Sequence, residues 1–274
     1  MTAQSAPEVL PHGKVTWQAR GGVAVLTLTN APANGYSHEM MLDLDQAILR
    51  ARFDAGVHVI VLAGQGERFF CAGADIQVLR TMTPRFKYQF CLHANETLLR
   101  LEHTPKLTIA ALGGHCVGGG LEVALACDLR WARTGSGRCG LPEVALGVLP
   151  GTGGTQRLAR ALGRSRALQW MIDGSLHSHQ DALAVGLVHR LFDADDDAGF
   201  LDQVVEAAGA YLPPHRAPLA VGHIKRAVQS GLEVPLESGL ALERELQASL
   251  FQSQDSQEGI AAFLDKRKPV FKGE

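Results

Sequence analysis

The sequence has no surplus of charge, no apolar run long enough to cross a bilayer and no paired-cysteine spacing, and each lack removes a class of function. Lys+Arg 26 against Asp+Glu 28 leaves a formal charge of −2, which argues against the broad basic footprint of a nucleic-acid-binding protein. No stretch reaches the roughly 18 consecutive apolar residues of a membrane-spanning helix. The five cysteines, Cys71, Cys91, Cys116, Cys127 and Cys139, are odd in number and never spaced C-x-x-C. They read as buried free thiols of a cytoplasmic protein rather than as a disulfide framework or a metal site. Residues 1–20 contain Pro7 and Pro11, no apolar h-region, and only Lys14 and Arg20 as strong bases. Neither a secretory signal nor an Arg-rich transit peptide is expected there.

The Gly114–Gly120 cluster lacks the spacing of a dinucleotide-cradling loop, and a nucleophile motif is also missing. A dinucleotide fingerprint needs G-x-G-x-x-G between a strand and a helix, and Gly114-His-Cys-Val-Gly118-Gly-Gly does not give that spacing. There is no G-x-x-x-x-G-K-[ST] and no G-x-S-x-G, so a P-loop and an α/β-hydrolase elbow are both excluded. Glycine itself is abundant: 30 of 274 residues, about 11% against a usual share of about 7%. With 46% apolar residues the chain is neither collagen-like nor disordered. It can bury a sizeable core, as one large domain or two smaller ones.

Periodicity gives a mixed α/β body with a helical C-terminal third. Val15–Gln18 and Val23–Thr29 flank Gly21-Gly22 as a hairpin, after a polar, flexible start over residues 1–14. Ser37 caps a helix whose Met40, Met41, Leu44, Ala47, Ile48 and Ala51 recur at helical spacing. Val57–Leu62 and Leu107–Leu112 read as buried strands, the second followed by a glycine cluster and the apolar helix Leu121–Ala126. Asp128–Ala132 is a further strand, and from Thr155 onward helical patterns dominate. Leu212-Pro213-Pro214 marks a junction, giving a core over 15–212 and a helical region over 213–274.

Two glutamates stand in unusual company. Glu122 follows Gly118-Gly119-Gly120-Leu121 in an apolar helix, and Glu143 sits in Leu141-Pro142-Glu143-Val144-Ala145-Leu146-Gly147 without a charged neighbour. A carboxyl in apolar surroundings either finds a partner or has its pKa raised, which suits a general acid or base. The alternatives are a helix-start charge for Glu122 and a structural ion pair for Glu143. Gly119, where a strand turns into a helix, can offer an unpaired N–H. Phe69-Phe70-Cys71-Ala72-Gly73-Ala74-Asp75 likewise follows a strand and ends at a helix start. Two such N–H groups aimed at one point would form an oxyanion hole; tight strand–helix packing is the competing explanation.

Three long motifs resemble the crotonase superfamily, and within it the enoyl-CoA hydratases. They are Phe70-Cys-Ala-Gly-Ala-Asp-Ile76, Gly114-His-Cys-Val-Gly-Gly-Gly-Leu-Glu-Val-Ala-Leu-Ala-Cys-Asp128, and Gly140-Leu-Pro-Glu-Val-Ala-Leu-Gly-Val-Leu-Pro-Gly-Thr-Gly-Gly-Thr-Gln-Arg-Leu158. Asp181-Ala182, Gly186-Leu187-Val188 and Phe263-Leu-Asp-Lys-Arg-Lys-Pro-Val-Phe-Lys272 are similar to the same family, so the match runs from about Val15 to the C-terminus. The resemblance implies a spiral of ββα turns with a helical C-terminal region that assembles homotrimers or hexamers. It implies an acyl-CoA substrate and no separate cofactor. The N–H groups of Ala74 and Gly119 match the family's oxyanion hole, and Glu122 and Glu143 its two catalytic glutamates. Glu122 would activate water for attack at C3, and Glu143 would deliver a proton to C2. Asp75, Ile76 and Gln77 would touch the substrate.

Departures from the pattern are local. Gln77 stands where the family often has Lys, so a phosphate contact is lost or supplied elsewhere. The early loop reads Asn34-Gly35-Tyr36-Ser37 instead of a sequence close to Asn-Ala-Leu, which leaves the adenine-side contacts open. Residues 77–91, with Met82, Phe86, Tyr88 and Phe90, are expected to line or cover the acyl pocket. The basic tail Lys266, Arg267, Lys268 and Lys272 is a solvated charge run or a contact for CoA phosphates. Hydration of a 2-enoyl-CoA is the expected reaction. An enoyl-CoA isomerase is the nearest rival, since isomerisation can proceed with one acid/base group, and a non-catalytic scaffold on the same fold is the other.

Overall fold

The computed structural model describes residues 5–74 and 76–274. An antiparallel start is built from β1 (Glu8–Val9), β2 (Val15–Arg20) and β3 (Val23–Leu28). Residues 5–14 are therefore held rather than free. Glu8–Val9 pairs with β2, and buried Asp43 accepts the backbone N–H groups of His12 and Lys14 at 3.0 and 2.9 Å. Helix α1 (His38–Phe53) starts as expected at Ser37, whose hydroxyl accepts the N–H of Met40.

Three turns of strand, strand and helix follow. The first runs through β4 (Val59–Gly64), β5 (Phe69–Cys71), α2 (Ile76–Thr81) and α3 (Pro84–Glu102). The second is β6 (Leu107–Leu112), β7 (His115–Val117) and α4 (Gly119–Leu125). The third is β8 (Leu129–Arg133), β9 (Arg138–Gly140), a 3-10 turn at Glu143–Leu146 and α5 (Gly154–Leu162). In each turn the first strand joins a large sheet and the second a small one, which is the expected ββα spiral. After α6 (Arg164–Asp173), β10 (His177–Ser178), α7 (His179–Ala184) and β11 (Arg190–Phe192), the chain ends in α8 (Asp197–Ala208), α9 (Pro218–Gly231), α10 (Leu236–Leu250) and α11 (Gln254–Leu264). The large sheet has the order β1-β2-β3-β4-β6-β8-β11, parallel from β3 onward; the small one is β10-β9-β7-β5.

Strand alternation sorts the core into two layers. Leu26, Ile60, Leu62, Ala110 and Leu112 face the small sheet and helices α1, α3 and α4; Val25, Val59, Val61, Ile109 and Trp131 face the other way, against Phe200, Val204 and Ala208 of α8. β4 is buried on both faces, which is why Val59-Ile-Val-Leu-Ala-Gly64 reads as an unbroken apolar run rather than an alternating one.

The 19-residue helix α3 is absent from the periodicity reading above. Its buried residues Phe90, Ala94, Thr97, Leu98 and Leu101 keep helical spacing, but Thr97 and the exposed Phe86, Tyr88 and Leu92 blur the stripe. The start signal is conventional: Thr83 accepts the N–H of Phe86, and Pro84 occupies the first turn. All five cysteines are free; Cys71, Cys116, Cys127 and Cys139 are buried, and burial pushes the thiols of Cys71, Cys127 and Cys139 up to about 12. Among the described residues no helix is long and apolar enough to cross a membrane.

Candidate active site

The site lies where the second and third ββα turns meet the loop before α1. Gly118, directly after β7, takes φ +57°, and its carbonyl accepts the N–H groups of Leu121 and Glu122. Only glycine adopts that backbone cheaply, and the turn it makes starts α4 with Gly119 and Glu122 in the first turn. Gly119 has no room for a side chain, because a Cβ there would fall 1.8 Å from Cε1 of Tyr36.

Glu122 is 1% exposed, and its carboxylate is held by one short loop. The N–H groups of Thr152 and Gly154 donate to Oε1 at 2.8 and 2.7 Å, and the Thr152 hydroxyl donates to Oε2. A carboxylate has about four lone-pair directions. Three are occupied by donors among the described residues, which leave one on Oε2 open.

Glu143 opens the 3-10 turn on the facing side. Its Oε1 lies 2.9 Å from where a Cβ of Gly118 would stand, and its buried Oε2 has no partner among the described residues. Burial pushes the Glu143 carboxyl up to about 7; the charge of Glu122 adds to that rise, while its own backbone N–H and the ammonium of Lys87 oppose it. Among the described residues no cation pairs with Glu143, so the structural ion pair allowed for it is not found there. The two candidate carboxyls share a site, one clamped by three donors and the other half-buried with a free oxygen.

The two glycine-bearing loops also meet. A Cβ on Gly73 would stand 2.8 Å from the Gly119 nitrogen, so Ala74, the next residue, is adjacent to Gly119. Ala74 pairs with Tyr36 in a parallel bridge, and among the described residues no acceptor takes the N–H of either Ala74 or Gly119. Asp75 lies outside the described residues, as does the side chain of Gln77. Ile76 begins α2 and is 63% exposed.

Of the residues expected to cover the pocket, Phe90 is buried and Met82 packs on the core, whereas Phe86 and Tyr88 are exposed. Phe90 and Tyr88 are two positions apart on a helix and so point in different directions. The basic tail is exposed on the single chain, with Arg267 held by Glu258 at 2.6 Å. Two site residues escaped the reading from sequence alone. Tyr36 belongs to the floor of the site rather than to an open surface loop, and Thr152 is a ligand of Glu122 rather than a spacer between glycines. The only sequence-level signal was one hydroxyl within the glycine run Gly151-Thr-Gly-Gly154.

Residues 18–274 match the family model described as enoyl-CoA hydratase/isomerase. A probable enoyl-CoA hydratase of Bacillus subtilis is 38% identical over 92% of this chain and 96% of its own. A short-chain-enoyl-CoA hydratase of Clostridium acetobutylicum is 34% identical over 93% and 95%. The crystal structure of an enoyl-CoA hydratase from Geobacillus kaustophilus superposes with a TM-score of 0.91 at 44% identity, covering 99% of both chains.

Proposed function

The chain belongs to the enoyl-CoA hydratase/isomerase family, and from that premise we propose how its residues carry out hydration. It is an enoyl-CoA hydratase, adding water across the 2,3-double bond of a 2-enoyl-CoA to give a 3-hydroxyacyl-CoA. Glu122 is the base: the free lone pair on Oε2 takes a proton from water as the oxygen attacks C3. Glu143 is the acid: its proton goes to C2 as negative charge collapses from the thioester oxygen. Between the two steps that charge sits on the enolate oxygen, where the N–H groups of Ala74 and Gly119 receive it. Atoms balance, since water supplies the hydroxyl at C3 and the proton lost to Glu122, while Glu143 supplies the hydrogen at C2. The reverse reaction exchanges the roles. No cofactor beyond the CoA of the substrate enters the scheme.

The observation that carries this reading is the contrast between the carboxyls. Glu143, pushed up to about 7, can hold a proton beside Glu122, whose oxygens accept three hydrogen bonds. Two carboxyls with environments this different can occupy opposite protonation states. A panel of 2-enoyl-CoA substrates, followed by 3-hydroxyacyl-CoA formation alongside conversion of a 3-enoyl-CoA, tests it. Isomerisation without hydration overturns it.

We also propose that the C-terminal helices mediate self-assembly into a trimer or hexamer. Ile224 and Val228 on α9, Leu232 just after it, Leu236 on α10 and Phe263 on α11 are between 57% and 83% exposed, apolar surface that self-assembly would cover. Light scattering on the purified protein reads the mass; a monomer rejects the proposal. Five unpaired thiols fit a reducing cytoplasm.

A further inference from the structure

Tyr36 has no part in the scheme above, yet it is 4% exposed and every side of it touches the site. Its N–H donates to the Gly73 carbonyl at 3.0 Å. Its ring stacks on Phe90 with centroids 5.5 Å apart and planes 25° apart. The ring edge fills the space a Cβ would need at Gly119. Its hydroxyl lies 3.1 Å from Oγ1 of Thr152, the atom that also donates to Glu122.

Hydrogen counting sets the direction of this chain. The Thr152 hydroxyl has one proton, and an ionised carboxylate can only accept. The Thr152 proton therefore goes to Glu122 Oε2, and the phenol must donate to Thr152. Burial and the Glu122 charge push the Tyr36 phenol well above its ordinary value, so it stays a donor across the working range. The titratable groups facing the phenol are Glu122 from α4, Cys71 from β5 and Cys91 from α3, and Glu143 faces Glu122.

We propose that Tyr36 is a positioning residue for hydration, orienting the Thr152 hydroxyl onto Glu122 so that the remaining lone pair of the carboxylate is aimed at water. The proposal rests on Glu122 as the base. No proton crosses the relay. Each hydrogen bond polarises the next, which supports the negative charge on Glu122 and fixes the carboxylate plane, while the ring holds Gly119 at its closest approach to the Ala74 loop.

Tyr36→Phe keeps the ring and removes only the donor. With crotonyl-CoA, kcat is expected to fall about fivefold, the size of one neutral hydrogen bond, with KM within about twofold of wild type. The acidic limb of the kcat profile is expected to move to higher pH, because a carboxylate with less hydrogen-bond support holds its proton more tightly. Thr152→Val breaks the same relay, so the double variant should be no slower than Thr152→Val alone. Wild-type kcat and an unmoved acidic limb in Tyr36→Phe overturn the proposal. So does a loss of rate with an unmoved limb, or with full additivity to Thr152→Val, since either would reduce Tyr36 to packing. Should Tyr36→Phe fail to fold, an unmoved limb in Thr152→Val overturns it equally. Full activity in Glu122→Gln would instead remove the reading beneath it.

Discussion

Replacing Glu143 by Gln separates the chemistry of the site from its stability, with opposite signs for the two readouts. Gln keeps the shape but cannot deliver a proton to C2. General acid catalysis contributes about 10²–10⁴-fold, so kcat for hydration of crotonyl-CoA, followed by loss of the enoyl-thioester absorbance, should fall by at least about 100-fold at pH 7. Stability should not fall with it. A carboxyl whose folded value, about 7, lies above its ordinary 4.5 holds its proton more tightly when folded. Its contribution is fully present below the unfolded value and is lost as pH rises through about 7, where an ionised, partly buried Glu143 faces Glu122. Gln carries no such charge, and among the described residues Oε2 has no partner to give up. Thermal melts at pH 8 should therefore show Glu143→Gln at least as stable as wild type. Turnover within a few-fold of wild type refutes the assignment of Glu143 as acid. A melting point several degrees lower at pH 8 refutes the electrostatic reasoning.

Three further outcomes follow from the same geometry. In the wild-type enzyme kcat/KM for hydration should decline as pH rises past about 7, because the acid must carry its proton; stopped assays from pH 6 to 9 read the limb. Gly119→Ala should cost roughly 100-fold or more in kcat while leaving the circular dichroism spectrum native, since the new Cβ forces Tyr36 and the Gly119 N–H apart; wild-type turnover would contradict the placement of that N–H. Lys225→Met removes the cation 2.8 Å from Asp128, in a pair exposed by only 6% and 16%, and leaves that carboxylate only the neutral donors of Thr108 and Gln229. Urea melts should show a loss of about 3 kcal/mol, with activity per folded molecule retained.

Legibility of the fold followed the range of the interactions involved. The start of α1 was readable because Ser37 and Met40 lie three residues apart and form the cap by themselves. β6 was readable to the residue, Leu107–Leu112, because burial on both faces demands a run that is apolar at every position but Thr108. α3 was not, because its outer face carries Phe86, Tyr88 and Leu92 where polar residues would have marked a stripe. The small sheet was hidden for a related reason. β5, β7 and β9 have three residues each, too few for a period, and their pairing is decided by the turns of the spiral rather than by their own side chains.

The site divides along the same line. By itself the sequence determined that carboxyls stand in apolar company at Glu122 and Glu143, and that the glycines Gly118-Gly119-Gly120 stand at the start of a helix, because residue type and local backbone preference are written in the order of residues. Tertiary structure decided what those groups are. It brought the Glu143 carboxyl against Gly118 at the head of α4, where burial and the charge of Glu122 push it to about 7. It also set the hydroxyl of Tyr36 on Thr152 across 116 residues of chain. Desolvation and charge coupling depend on distance through space, and no spacing along a chain encodes that until the sheets have stacked.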